Sequence, residues 1–388
     1  GLLLIWATFL VALRRGGIAP VLVLVACGPL VYFSINLGMV LEPADVIGLT
    51  LMAVYAFRPS AAKQLTGKYA APFLIFFLYL ALVTVLNMPL WPADSTLEQS
   101  FFYSKWMRGP VQLFQVLLGL IIVVLILRSV NSLTDVEKVL RVTVLAMAAI
   151  CVYGLYVWAA QQYGLPFNSI TRQGGGNAIG DPRLITAVID GQRMVRAYSL
   201  TGEPKSLASN AVLLIILLLF SGSTKQLSIK NTSVVGIGVL TLFLTYSTAG
   251  FIIAAGAFFA ASTIAYQVPS LRARLSMQLP IFLLLGAVTI FYLGDDLRQS
   301  VALAFVGLGG SAFYVRLFDA FSYAGYVAAP RGLVGFVSDK GIVGLMLYVY
   351  AFGNCLVPIV RRSRIGDREA RGYANLSVFI VVSIVLVF

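Results

Sequence analysis

Long apolar runs broken by short polar ones set the pattern of the chain. They fall at 1–13, 18–38, 44–57, 70–88, 110–127, 140–161, 206–222, 232–247, 249–267, 279–294, 338–360 and 373–388. A helix needs about 20 mostly apolar residues to cross the hydrocarbon of a bilayer. The pattern predicts an all-α polytopic membrane protein with 11–12 transmembrane helices, in which 1–13 is incomplete and 44–57 is the weakest span. The segments at 89–109, 162–205 and 295–337 are left between them, the last two being long.

Composition agrees with the pattern. Of 388 residues, 60% are hydrophobic and 11% charged, and the mean hydropathy is +0.92. Soluble domains average about 45–50% apolar and about 25% charged. A soluble fold of this length would leave large apolar patches facing water. One transmembrane domain over 1–388 is expected. The chain begins and ends inside apolar runs, so no cleavable signal peptide is expected, and the native ends are expected to lie beyond it.

The net charge of +13 would suggest nucleic acid for a soluble protein. Colouring the polar segments alternately inside and outside explains it differently. Seventeen bases, from Arg14 and Arg15 through Lys138 and Arg141 to Arg361 and Arg371, fall on one side with four acids, Asp135, Glu137, Asp367 and Glu369. The other side balances at 11 of each sign. All the excess lies on one face, which the positive-inside rule makes cytoplasmic. No nucleic-acid partner is needed. The long segments 162–205 and 295–337 become periplasmic loops.

Several chemistries drop out. The chain has no histidine, which removes His-based zinc and haem sites and Ser-His-Asp or Cys-His catalysis. Cys27, Cys151 and Cys355 stand singly in apolar runs and imply no disulfide framework or thiolate cluster. No GxxxxGK[ST] sequence occurs, which argues against ATP-driven transport by this chain alone. No cofactor or metal is expected.

In 162–205, Gly174-Gly175-Gly176 reads as a flexible bend, although such a run can also cradle an anion. Leu184–Ile189, Asp190-Gly191 and Gln192–Tyr198 predict a β-hairpin with a type I′ turn. Arg172 and Arg183 read as solvated, salt-bridged surface. Arg193, Arg196, Glu203 and Lys205 lead into the 206–222 helix, and two readings stay open for them: plain solvation, or a site for an anionic ligand gripped by Arg forks and a Lys point charge. In the second loop, Asp295-Asp296 reads as a solvated helix end rather than a divalent-metal pair. Arg316 and Asp319 would share one face of a helix, as a structural ion pair or as functional groups, and Arg331 is a candidate ligand contact. Leu244–Gly250 predicts a tight reversal with Ser247 and Thr248 near its mouth as possible ligand contacts. The Ala and Gly of 249–261 read as close helix packing.

Four stretches, in order across 190–360, give the chain a resemblance. They are Arg196 followed by SLTGEPKSLA (199–208), LTYSTAGFIIA (244–254), Arg316 in the second loop, and SDKGIVGLMLYVY (338–350). The chain resembles the superfamily of O-antigen polymerases and O-antigen ligases. The resemblance implies a bacterial inner-membrane glycosyltransferase of GT-C-like architecture that takes glycan from undecaprenyl pyrophosphate at the periplasmic side without a nucleotide sugar. Two departures matter. Ser247-Thr248 stands where the family often has Ser-Arg, and the periplasmic histidine common in ligases is absent, which tilts the reading towards a polymerase.

On that reading Arg196 and Arg316, then Arg193 and Lys205, stabilise the departing pyrophosphate, because preorganised cations act most where charge develops. Glu203 or Asp319 is the available base for the attacking hydroxyl. The partners implied are undecaprenyl-pyrophosphate-linked oligosaccharide, membrane lipids, a chain-length regulator and a flippase. A ligase acting on lipid A-core is the nearest alternative. A transporter or flippase for lipid-linked glycan is the next; against it, the centres of the spans carry almost no charge.

Overall fold

The computed structural model describes residues 2–30, 33, 35–36, 40–57, 70–87, scattered positions of 110–130, 132–167, 170–173, 176–179, 186–189, 192–220, 229–267, most positions of 346–362, and 376. Over these residues the protein is mostly helical. The helices are α1 (Leu2–Arg15), α2 (Ala19–Cys27), α3 (Pro43–Phe57), α4 (Ala70–Asn87), α5 (Leu133–Tyr163), α6 (Pro204–Phe220), α7 (Ile229–Leu244) and α8 (Thr248–Gln267). Three small antiparallel hairpins accompany them: β1 (Ile35–Asn36) with β2 (Val40–Leu41), β3 (Ile170–Gln173) with β4 (Gly176–Ile179), and β5 (Thr186–Ile189) with β6 (Gln192–Val195). The mostly helical fold agrees with the expected all-α class and its one hairpin at 184–198, and two further short hairpins add to it. The expected helix at 279–294 and the segments 89–109 and 295–337 lie outside the described residues.

Helix α5 has both ends written into its sequence. The Ser132 side chain accepts from the Asp135 N–H at 3.2 Å, and the Asp135 carboxylate sits in the first turn, where the helix dipole favours an anion. At the other end Gly164 takes φ 66°, and Leu165 N–H closes back on Ala160 O at 2.9 Å. The 31 residues between span about 46 Å at 1.5 Å per residue. Among the described residues α5 is the one helix long and apolar enough to cross a membrane. The apolar stretches Pro43–Val54, Ala71–Leu82, Pro204–Phe220, Ser233–Leu244 and Ile253–Tyr266 are shorter.

The single helix predicted over 18–38 is corrected. Helix α2 ends at Cys27, with Gly28 as its cap and Pro29 next, and the chain then forms the β1–β2 hairpin. Pro29 has no N–H to offer Val25 O and its ring crowds that carbonyl, so an apolar run alone did not specify one continuous helix.

Helix α6 is the axis of the largest packing unit. Every residue from Ala211 to Phe220 is buried, as expected for a helix that is apolar on all sides. It packs on α5, α7 and α8, and α5 also packs on α7. Each of the three neighbours turns a glycine towards it. A Cβ on Gly154 of α5 would lie 2.6 Å from Leu207 Cδ2, one on Gly238 of α7 2.9 Å from Ile215 Cγ1, and one on Gly250 of α8 2.5 Å from Ala208 Cβ. Ala257, Ala261 and Ala265 of α8 are fully buried, as the small-residue pattern of 249–261 implied for its part. A second core joins α1, α2 and α3 through Phe9, Val21, Leu24, Ile47 and Leu51, with Val139 of α5 packed against it.

The β5–β6 hairpin follows the predicted register: Ile189 pairs with Gln192 and Thr186 with Val195, leaving Asp190-Gly191 as the connection. Sequence reasoning missed β3–β4. Gln173 pairs with Gly176, and the expected bend at Gly174-Gly175 lies outside the described residues.

Candidate functional site

Between β6 and α6 the chain forms a strap, Arg196–Glu203, with no regular secondary structure. Four hydrogen bonds fasten it between α5 and α7. Ala197 N–H donates to Leu244 O at 2.7 Å, and Arg196 Nε donates to Thr245 O at 2.9 Å. Gln161 Nε2 of α5 reaches Arg196 O at 3.4 Å, and Ser199 Oγ donates to Ile150 O at 2.9 Å. Ala197, Tyr198, Ser199 and Thr201 are all buried. The backbone then turns at Gly202, φ 78°, a conformation open to glycine at little cost, and α6 begins at Pro204.

The strap descends well below the Tyr163 end of α5. Ile150, which holds Ser199, lies 13 residues before Tyr163, about 20 Å along the helix. Leu207 of α6 packs level with Gly154, and the Thr241 hydroxyl of α7 meets Cys151 O at 3.5 Å. From those levels α5 continues for nine and 12 residues, while α6 begins and α7 ends only three residues away. The ends of α6 and α7 thus form a floor that α5 overtops by about 9 Å or more. Thr201, Thr241, Thr245, Ser199 and Ser247, all buried, gather at this floor.

The floor is electrostatically one-sided. Helices α6 and α8 both begin here, and Gly250 in the first turn of α8 abuts Ala208 of α6. The positive ends of two helix dipoles therefore lie side by side. The negative end of α7 arrives between them, and the strap covers it: Ala197 N–H and Arg196 Nε occupy the carbonyls of Leu244 and Thr245. The turn between α7 and α8 is tight, with Tyr246 at φ 44°, a strained value for a bulky side chain. Burial lowers the pKa of Arg196 below its ordinary value, yet guanidinium remains charged in proteins. Burial foremost, then neighbouring Tyr153, pushes the Tyr198 phenol up to about 12, so it is neutral at pH 7 and no base. Two helix starts and one guanidinium therefore lie at this end of the packing unit, a charge pattern that favours an anion.

The sequence-predicted residues meet mixed fates. Arg196 and Glu203 lie on the strap, Lys205 in the first turn of α6, and Ser247 just before α8. Glu203 is half-buried, its carbonyl accepting from Leu207 N–H as α6 starts, and Lys205 follows in the first turn. Ser247 is buried, and its Oγ accepts from Gly250 N–H to cap α8. Thr248 is the first residue of α8. Arg193 lies on β6 opposite Val188, three positions before Arg196. Arg316, Asp319 and Arg331 lie outside the described residues. Among the described residues, no group of three or more His, Cys, Asp or Glu is placed to hold a metal ion.

Sequence reasoning missed Gln161 and the depth of Ser199–Thr201. Gln161-Gln162 at the close of an apolar run was the available signal for the first. No protein-family model, curated protein or solved structure matches the chain.

Proposed function

We propose that the chain is a polytopic bacterial inner-membrane glycosyltransferase that polymerises undecaprenyl-pyrophosphate-linked oligosaccharide repeat units at the periplasmic face. The class is drawn from the hydropathy pattern, the charge asymmetry and the resemblance given above. The observation that supports the reading is the side-by-side approach of α6 and α8 at their starts, with Arg196 anchored on Thr245 just before α8. In a bilayer, non-helical backbone at depth persists only where protein or a polar cavity surrounds it, and helix N-termini at depth suit anionic groups.

The chemistry follows from that placement. The acceptor sugar's hydroxyl oxygen attacks the donor's anomeric carbon, the bond from that carbon to the pyrophosphate oxygen breaks, and polyprenyl pyrophosphate departs with the electron pair. Arg196, with Lys205, Arg193 and Arg316 as further cations, stabilises the developing charge. Glu203 or Asp319 takes the hydroxyl proton. Apolar helix faces hold the polyprenyl tails, and a flippase and a chain-length regulator are the proposed partners.

The test is incubation of purified protein with synthetic lipid-linked repeat units, with and without EDTA. A ladder of lengthening products, unchanged by EDTA, supports a metal-independent polymerase. A single capped acceptor product on lipid A-core would make it a ligase, and substrate that crosses the membrane without lengthening would make it a transporter.

A further inference from the structure

We infer that one exposed stripe of α5 is a lipid-contact surface that registers the bilayer, with headgroups at Lys138 and Arg141, acyl chains along Leu145 and Val152, and the opposite interface at Tyr163. The inference rests on the membrane-spanning reading proposed above and adds which face of α5 meets lipid and how deep the strap lies. Lys138, Arg141, Leu145, Val152, Tyr156 and Tyr163 are all exposed. At 3.6 residues per turn they fall within about 60° of arc along the helix. Their character changes along the stripe as the polarity of a bilayer does: basic, then aliphatic, then aromatic. Leu145 is 63% exposed, Val152 51% and Tyr163 77%. The Lys138 side chain stays 57% exposed while its ammonium meets the Asp135 carboxylate at 3.4 Å. Exposed Glu137 lies off the stripe, about 100° round the helix from Lys138.

The occupant is lipid rather than a second copy of the chain. Helix–helix seams in membranes use small residues for close approach. Helix α5 buries its small Cys151, Gly154 and Ala160 on the inner side and keeps large side chains on the exposed one. The Tyr156 hydroxyl donates to Pro166 O at 2.6 Å, just beyond α5, so its ring borders hydrocarbon with the polar end satisfied. Arg141 and Tyr163 are 22 residues apart, about 33 Å along the helix, against about 30 Å of hydrocarbon. On that ruler Ile150, whose carbonyl takes the Ser199 hydroxyl, lies within about 3 Å of the midpoint. The two sides of α5 differ at this depth: Ile150 is buried and holds the strap, while Val152 is exposed. Irregular backbone persists at such depth only inside protein, and Ala197, Tyr198, Ser199 and Thr201 are all buried.

Cys27→Ala, Cys151→Ala and Cys355→Ala give a cysteine-free background. Into it go Lys138→Cys, Leu145→Cys, Val152→Cys and Tyr163→Cys, one at a time, each carrying a nitroxide; all four positions are exposed, so the label displaces no core packing. Full-length protein in vesicles of phosphatidylethanolamine and phosphatidylglycerol is then read by electron paramagnetic resonance, comparing nitroxide collisions with apolar dioxygen and with a polar nickel chelate. The expected result is a dioxygen-to-nickel ratio severalfold higher at 145 and 152 than at 138 and 163, with its maximum at 152. A maximum at 138 or 163 overturns the registration. Few collisions with either reagent at 145 and 152 would mean that protein covers the stripe, with dipolar broadening between labels identifying a second copy; that overturns the inference and leaves the membrane-spanning reading standing. Nickel collisions as frequent at 145 and 152 as at 138 would put water along the whole stripe, and both fall.

Discussion

Arg196 Nε donates to the carbonyl oxygen of Thr245 at 2.9 Å, across 49 positions of sequence. One side chain therefore closes the end of α7 and fixes a cation on the turn that leads into α8. A guanidinium can do both because its donors form a fork, one arm for the carbonyl and the others for an anion.

Arg196→Gln should abolish polymer in cells lacking the wild-type protein and lower stability by about 1.5–3 kcal/mol, the scale of a hydrogen bond to a charged group. Arg196→Lys should insert normally yet lose at least about tenfold in turnover, because one ammonium cannot span both tasks. Polymer ladders and thermal melting of purified protein measure the two effects. Full-length polymer from Arg196→Gln would remove Arg196 from the mechanism.

Glycine contacts around α6 make a graded series. Gly250→Ala drives a methyl into Ala208 Cβ and should cost about 1–3 kcal/mol, with Ala208→Gly as its rescue. Gly154→Ala should cost less, since it meets the end of the flexible Leu207 side chain. Gly236→Ala of α7, with nothing within 4 Å, should be neutral or stabilising by up to about 1 kcal/mol. Melting temperatures in one detergent rank the three, and equal losses at Gly250 and Gly236 would contradict the packing described.

Ser199→Ala removes the hydroxyl that pins the strap to Ile150 O. A loss of about 1 kcal/mol is expected, with faster proteolysis between residues 196 and 203. Unchanged cleavage would mean that the other three bonds suffice to hold the strap.

Topology is open to labelling with a membrane-impermeant maleimide in a cysteine-free background. Tyr163→Cys should react from the periplasm and Lys138→Cys only after the membrane is opened, since they lie near opposite ends of α5. Thr201→Cys should stay protected in both cases because that residue is buried. Reaction of positions 163 and 138 from the same side would end the spanning reading of α5.

What the sequence disclosed was set by local rules. The β5–β6 register could be read because Asp190-Gly191 specifies a two-residue connection. The reversal at 245–247 could be read because polar residues interrupt an apolar run. The long α5 was legible in its apolar core, while its start at Leu133 required recognising Ser132 and Asp135 as a cap. The break after Cys27 was hidden, since hydropathy does not distinguish helix from apolar hairpin. The floor was legible only in part. Charge and motif singled out Arg196, Glu203 and Lys205, but the Gln161, Ser199 and Thr245 contacts arise from pairings 35 to 49 positions apart, which no local pattern encodes.

The notches that Gly154, Gly238 and Gly250 cut around α6 have a mechanical corollary. A shaft seated in three such grooves neither slides nor rotates without collision, so the central helix is a fixed datum. Displacement within this packing unit would then fall on the peripheral hairpins before it reached α6.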